Sequence, residues 1–220
     1  LDWNDRRGQG GEVAAAVSVS DGSLCVVDLR PDGSLCLSRR WQAHDMEAWI
    51  TAWDCFSRAV LYSGADDGVL KAWDTRDPSL PTAKDTKSHL AGVCCIQSHA
   101  AVEHCVVTGS YDETIRVYDT RQLRRPVAEH AVGGGVWRVK WHPGDPSLLT
   151  AACMHAGFAI LRYDHAAASF SSCESWQGKH TSLGYGVDFQ WPRENARDRD
   201  GRIVASASFY DHLLQVWRVE

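Results

Sequence analysis

Long apolar segments, an excess of basic residues and closely paired cysteines are all missing from the sequence. No hydrophobic stretch approaches the roughly 18 apolar residues that a transmembrane helix needs, so none is predicted. Lys and Arg together number 23 against 28 Asp and Glu, which gives a formal net charge of -5. That balance disfavours a protein that binds duplex nucleic acid, because such proteins present a basic surface to the phosphates.

The cysteines do not show the C-x-x-C spacing of zinc sites and redox pairs. Most of them lie within apolar, strand-like segments, so neither a disulfide framework nor a metal centre is predicted. We expect reduced, buried thiols in a cytoplasmic protein that uses no metal and no cofactor. The eight residues are Cys25, Cys36, Cys55, Cys94, Cys95, Cys105, Cys153 and Cys173.

Signatures of several large enzyme classes are also missing. The sequence contains no G-x-S-x-G, no H-E-x-x-H, no P-loop and no G-x-G-x-x-G motif. Serine-hydrolase, zinc-protease and nucleotide-binding chemistry of the usual kinds is therefore not predicted. Composition and spacing alone favour an interaction scaffold.

A repeat is the dominant feature of the chain. SGADDGVLKAWDTR at residues 63–76 and TGSYDETIRVYDTR at residues 108–121 are nearly the same sequence, 45 positions apart. A fixed spacing of this size is typical of proteins that repeat one supersecondary unit. Within a unit, short apolar segments such as 59–64 and 69–74 flank a turn dipeptide, Asp67-Gly68, that suits a tight β-hairpin. Segments that are apolar on both faces indicate sheets packed between neighbouring sheets.

These residues resemble the WD40 family of β-propellers across essentially the whole chain. The turn Asp of that family is matched by Asp67, Asp112 and Asp211, and its strand-ending Trp by Trp73 and Trp217. The resemblance implies an all-β WD40 β-propeller in which each turn Asp is tied to the His that opens its unit. About five blades are expected, as the C-terminal part of a seven-bladed propeller. The expected units are 1–40, 41–85, 86–127, 128–175 and 176–220, with a charged insertion loop at 192–202 in the last.

Functional residues are expected where the units depart from their shared pattern. In the fourth unit, alignment backward from Tyr163 places Gly157 at the turn-Asp position and His155 in the same hairpin. The missing Asp leaves two readings open, ordinary drift or a His155 freed for a site.

The residues at the start of the first strand of each unit also differ between units. Trp49, Trp137 and Tyr185 are expected at one mouth of the central channel, where they form an aromatic wall or simply pack a blade interface. Gly134 and Gly135 lack side chains and permit a bound group to approach the backbone closely.

A more specific resemblance runs through an ordered series of segments. The series includes WQAHDMEAWI (41–50), GGGVWRVKWHP (133–143), LLTAACMHAGFAIL (148–161) and ASFYDHLLQVW (207–217). It is similar to the WD-repeat diphthine methyl ester hydrolases of diphthamide biosynthesis. Segments such as AACMHAGF and SFYDH are not demanded by the blade pattern, which makes the series more specific than any single WD dipeptide.

The resemblance implies a carboxylic-ester hydrolase, a methylesterase whose substrate is elongation factor 2 carrying methylated diphthine. That substrate bears a quaternary trimethylammonium group near the ester, and aromatic faces such as Trp49, Trp137 and Tyr185 suit such a cation. Ester hydrolysis also needs an activated water or nucleophile and donors for the oxyanion. The candidate catalytic residues are His155, His212 and Asp188, and the candidate oxyanion donors are the amides of residues 133–135, including Gly134 and Gly135.

A different function is suggested by a second resemblance. Arg76 and Arg121 follow the aromatic-Asp pairs in a tandem W/Y-D-x-R pattern that resembles WD40 substrate receptors of cullin–RING ubiquitin ligases. In that reading the two arginines help to dock a ligase adaptor and the protein is a scaffold. The alternative is that each arginine pairs with a nearby Asp. The scaffold and enzyme functions do not exclude each other.

Overall fold

The computed structural model describes residues 1–4, 12–191 and 202–219. These residues form β-strands and one short 3-10 helix, with no α-helix among them. The insertion expected at 192–202 lies outside the described residues, except for Arg202.

The strands are grouped in five antiparallel sheets. The first sheet contains β1 (Asp2–Trp3), β2 (Val13–Ser18), β3 (Ser23–Leu29) and β4 (Leu35–Gln42). The second contains β5 (Ala48–Trp53), β6 (Val60–Ala65), β7 (Leu70–Asp74) and β8 (Ala83–Asp85). The third contains β9 (Val93–Ser98), β10 (Cys105–Ser110), β11 (Thr114–Asp119) and β12 (Ala128–Ala131), with the 3-10 helix Thr120–Gln122 after β11. The fourth contains β13 (Arg138–Trp141), β14 (Leu148–Ala152), β15 (Phe158–Asp164) and β16 (Ser169–Trp176). The fifth contains β17 (Gly186–Phe189), β18 (Ile203–Ala207) and β19 (Leu214–Arg218).

Each sheet is a meander whose strands pair in chain order. The first strands of the second to fifth sheets, β5, β9, β13 and β17, contact one another in sequence, and we call them the inner strands. The sheets therefore stack side by side around these strands. The all-β propeller architecture implied by the WD40 resemblance is confirmed.

The core lies between neighbouring sheets. Every residue of β10 is buried, as expected for a strand that is covered on both faces. Between the second and third sheets, Tyr62 and Leu70 pack with Ile96 and Val106 in one cluster. Full burial of each such side chain contributes about 1.5–3 kcal/mol, so this inter-sheet packing is the main force that holds neighbouring blades together.

Polar side chains fix the second sheet in the way that the WD40 resemblance implies. His44 Nδ1 donates to Asp67 Oδ2 at 2.9 Å, and its Nε2 accepts from Ser63 Oγ at 2.7 Å. Trp73 Nε1 donates to the same Ser63 oxygen at 2.8 Å. Desolvation acts to raise the pKa of Asp67, but the hydrogen bond and charge of His44 outweigh it, so that pKa lies below its usual value. We call this set the His44 clasp.

The fifth sheet contains the same kind of hydrogen-bonded set as the His44 clasp, whereas in the third sheet the turn Asp has a different partner. His180 bonds to Asp211 at 3.2 Å and to Ser206 at 3.0 Å, as expected. In the third sheet, the expected hydrogen bond between Asp112 and the unit-opening His89 is not formed, so this prediction is wrong. Asp112 pairs instead with Arg116 Nη1 at 2.9 Å, because a guanidinium stands where the second sheet has Lys71.

The fourth hairpin differs from the sequence alignment by two residues. Leu149 pairs with Trp141 and with Leu161, as Leu61 pairs with Trp53 and with Trp73, so Leu161 and not Tyr163 takes the place of the strand-ending Trp. The assignment of Gly157 to the turn-Asp position is therefore wrong, and His155 stands there. Gly157 lies two residues further on, with a positive φ of 77°.

Candidate functional site

Three predicted aromatic residues meet at one end of the inner strands. Trp49 is the second residue of β5, while Trp137 and Tyr185 directly precede β13 and β17. The ring centroids of Trp49 and Trp137 lie 5.3 Å apart, and those of Trp137 and Tyr185 are also 5.3 Å apart. Both pairs are edge to face, with interplanar angles of 83° and 86°. Three of the four inner strands, β5, β13 and β17, therefore bring these rings into one continuous group.

Two tyrosines that the sequence analysis missed extend this group. Tyr111, between β10 and β11, lies 6.1 Å from Trp49 and 5.8 Å from Trp137 between ring centroids. Tyr210, between β18 and β19, lies 5.9 Å from Tyr185. The signal that points to them is a repeated Tyr-Asp dipeptide, since each tyrosine directly precedes a turn Asp. We call Trp49, Tyr111, Trp137, Tyr185 and Tyr210 the aromatic belt.

The aromatic belt is open to solvent and neutral. Tyr111 is 38% exposed and Tyr210 is 60% exposed. Desolvation raises the pKa of Tyr111, as do the neighbouring Cys94 and Asp66, and desolvation and Tyr210 raise the pKa of Tyr185. The phenols of Tyr111 and Tyr185 consequently stay protonated, and their ring faces keep the electron density that attracts a cation. Rings at right angles form a corner in which one cation contacts two rings.

Acidic side chains lie beside the belt. Asp66 in the β6–β7 hairpin is exposed and contributes to the electrostatics of Tyr111. Glu113 in the β10–β11 hairpin is 49% exposed at its side chain. Both carboxylates add negative charge near the neutral rings, and this favours a cationic ligand over an anionic one.

His155 lies opposite Glu113 on the neighbouring hairpin. Its Nε2 is 4.0 Å from Glu113 Oε1, and its side chain is 61% exposed. Glu113 was not predicted, and it adopts φ 65° at the hairpin position where Gly68 stands in the second sheet. A residue other than glycine in this conformation costs of order 1 kcal/mol, and such strain is concentrated at functional sites. His212 adopts the same conformation, with φ 54°.

Gly134 and Gly135 pack directly against the His155 hairpin. A Cβ at Gly134 would lie 2.1 Å from Cys153 O, and one at Gly135 would lie 2.7 Å from Met154 Sδ. The absence of a side chain at these two glycines therefore allows the two segments to approach each other closely. Over the described ranges of the chain, neither glycine amide has a hydrogen-bond acceptor. Both glycines are buried against the hairpin that carries His155.

The other two candidate catalytic residues are not joined to His155 by any contact in the described chain. Asp188 lies within the inner strand β17, and its Oδ2 is 3.7 Å from Lys140 Nζ. His212 is exposed in the β18–β19 hairpin, with its ring 6.4 Å from that of Phe209. His212 thus borders the Tyr210 end of the belt, while Asp188 lies further along the inner strand.

The two arginines considered for adaptor docking lie at the opposite ends of their strands from the belt hairpins. Arg76 Nη2 is 2.6 Å from Asp74 Oδ2, and Arg121 Nη2 is 2.5 Å from Asp119 Oδ2. Each guanidinium is held by the Asp of its own motif and stays exposed. Adaptor docking stays a prediction.

The cysteines are all free thiols, and five of the eight are buried. Across residues 1–4, 12–191 and 202–219, no group of three or more His, Cys, Asp and Glu side chains is arranged to hold a metal ion. No helix in the described part of the chain has the length and apolar character to cross a membrane.

Comparisons with known proteins agree with this architecture. Residues 82–119 match the WD40 model (WD domain, G-beta repeat). The chain is 36% identical to the diphthine methyltransferase homolog of Dictyostelium discoideum over 99% of its own length and 61% of that protein. It is 42% identical to human diphthine methyltransferase over 87% of its own length and 43% of that protein. The chain thus spans less than two thirds of these relatives.

A solved structure shows the same fold. A chain in the crystal structure of the mitotic checkpoint complex superposes with a TM-score of 0.77 at 21% identity, covering 100% of this chain and 60% of that one. At this identity the likeness concerns the fold alone. The specific relationship comes from the sequences: the chain is a WD40-repeat homologue of the proteins named diphthine methyltransferase.

Proposed function

We propose that the protein acts in diphthamide biosynthesis as a carboxylic-ester hydrolase that removes the methyl ester of methylated diphthine on elongation factor 2. The observation that carries the proposal is the aromatic belt, with its carboxylates, beside an exposed histidine and two free backbone amides. The names of the relatives support diphthine as the substrate. The reaction needs no cofactor, and the proposal places the protein in the cytoplasm with elongation factor 2 as its partner.

Recognition of the substrate rests on its trimethylammonium group. A quaternary cation cannot donate a hydrogen bond, so ring faces and nearby carboxylates are the groups that select it. Each ring contributes about 0.5–2 kcal/mol, with the larger value for a desolvated contact. The perpendicular pair Trp49 and Trp137, with Tyr111 beside both, supplies three rings, and Asp66 and Glu113 supply the charge.

Hydrolysis then uses the groups next to the belt. His155 takes a proton from a water molecule as that water attacks the ester carbonyl carbon. The developing oxyanion accepts hydrogen bonds from the free amides of Gly134 and Gly135. The tetrahedral intermediate collapses as the methoxy oxygen takes the proton back from the imidazolium, and methanol leaves. Glu113 stabilises the imidazolium during the step. His212 is the second candidate for the base.

The relatives are named for methyl transfer, so the proposal has to be separated from that chemistry. The test incubates the full-length protein with methylated elongation factor 2 and no methyl donor, and follows the mass of the modified peptide. Hydrolysis predicts the loss of one methyl group and the release of one equivalent of methanol. Stable methylated substrate in this mixture, with a mass change only after addition of a sulfonium methyl donor, would contradict it.

A further inference from the structure

A basic groove lies at the outer edge of the second and third sheets. One open depression of about 480 Å³ is lined by residues 81–87 together with Arg124. A second, of about 660 Å³, is lined by Thr82, Ala83 and residues 121–125. The two share Thr82, Ala83 and Arg124 and so form one continuous surface. We call this surface the basic groove.

The charge of the basic groove is not balanced locally. Lys84, Lys87, Arg124 and Arg125 are exposed, and across the described residues none of them is in an ion pair. The uncompensated positive charge is unusual on a chain whose formal net charge is -5.

Asp85 is the acidic residue that lines the basic groove, and it is already engaged, as is Asp119 next to Arg121. Asp85 is buried and accepts hydrogen bonds from Lys87 N and from the Tyr118 hydroxyl. Asp119 is held by Arg121. The carboxylate that lines the groove is therefore not available to its cations.

One wall of the basic groove is the edge of a sheet. β8 is the last strand of the second sheet and pairs only with β7 among the described strands. Its outer side consequently carries backbone groups that have no partner within the sheet. Such an edge accepts an extended peptide as an additional strand.

We propose that the basic groove docks an extended acidic segment of a partner protein. The four free cations pair with carboxylates, and the edge of β8 pairs with the backbone of the segment. A polypeptide fits both features, whereas the acidic chain as a whole repels nucleic acid and anionic lipid surfaces at longer range. This surface lies at the β7–β8 and β11–β12 connections, away from the hairpins that carry the belt, and it does not depend on the proposed hydrolysis.

The test measures binding of a fluorescent synthetic peptide of alternating glutamate and threonine to the full chain by anisotropy. The variant Lys84→Glu with Arg124→Glu reverses two groove charges. The matched control, Arg39→Glu with Lys179→Glu, makes the same change in net charge at exposed sites elsewhere. We expect binding to weaken about tenfold or more in the groove variant and to stay within about twofold in the control, with unchanged melting temperatures.

Two further measurements determine the class of partner and whether the edge of β8 takes part in binding. A peptide with N-methyl groups at alternate residues cannot form a strand ladder, and its weaker binding is expected. Single-stranded DNA and phosphatidylserine vesicles are expected to compete poorly. Equal loss in both charge variants, absence of peptide binding, unaltered binding of the N-methylated peptide, or preference for DNA or vesicles would each overturn the proposal.

Discussion

The indole rings of Trp49 and Trp137 meet edge to face with centroids 5.3 Å apart, although they belong to the second and fourth sheets. The third sheet lies between these two in sequence and adds Tyr111, which contacts both rings. The end of the inner strands is therefore the place where aromatic groups from separate blades meet. Three positions that are remote in the sequence therefore form one continuous aromatic surface.

Trp137 is the centre of the belt, because it contacts Trp49, Tyr111 and Tyr185. Trp137→Ala is expected to lower kcat/KM for methylated elongation factor 2 about tenfold or more, which corresponds to about 1–2 kcal/mol of lost cation–π energy. Trp137→Phe should retain part of the effect. Inhibition by tetramethylammonium should weaken in parallel. Trp191→Ala, at the other end of β17, is the control and should change neither quantity.

His155 is expected to act in the chemical step. His155→Ala should lower kcat by about 10²–10⁴ with little change in melting temperature, because the side chain is exposed and its removal leaves no cavity. His104→Ala, another partly exposed histidine, is the matched control. A variant that loses activity only when His212 is removed would assign the base to that residue instead.

Glu113 has a strained backbone conformation and lies next to His155. Glu113→Gly should raise the free energy of unfolding by about 0.5–1 kcal/mol, since glycine adopts φ 65° without a steric penalty. The same variant should turn over substrate more slowly, because the His155 imidazolium loses its carboxylate neighbour. Urea unfolding together with single-turnover kinetics checks both. A gain in stability with full activity would reduce Glu113 to a turn residue, and Glu113→Gln separates charge from conformation.

His89 makes the stability depend on pH. Burial, and then the charge of Arg116, lower its pKa from 6.5 to about 4, against the opposing influence of Asp112 and Asp85. Between these two values the unfolded chain binds a proton that the folded chain does not, so stability falls as pH decreases from 6.5 to about 4. The full effect is about 3 kcal/mol.

The comparison uses urea unfolding of the wild-type protein and His89→Gln across that pH range. The variant is expected to show a smaller loss of stability as the pH falls, although it starts from a lower value. Parallel pH profiles for the two proteins would assign the acid sensitivity to other groups.

The local parts of the fold were predictable from the sequence. The hairpin at Asp67-Gly68 and the clasps of His44 and His180 depend on spacings within one unit, and those spacings repeat. The starts of the inner strands, which carry Trp49, Trp137 and Tyr185, were identified for the same reason.

Contacts between neighbouring sheets were not predictable in this way. Tyr111, Tyr210 and Glu113 belong to hairpins, and no spacing within a unit shows that these hairpins lie beside the inner strands of the next blade. Arg116 displaced the expected partner of Asp112 because a guanidinium reaches the carboxylate directly. In the fourth hairpin, the aromatic residue Tyr163 lies two positions beyond Leu161, the residue that matches Trp73, so counting back from the aromatic residue fails.

The most direct test of ester hydrolysis at the belt runs the reaction of the full-length protein in water enriched in heavy oxygen. Attack of a His155-activated water on the carbonyl carbon predicts one heavy oxygen in the diphthine carboxylate and none in the methanol. It also predicts that both products form about 10²–10⁴ times more slowly in His155→Ala. Heavy oxygen in the methanol, or no methanol at all, would contradict the account.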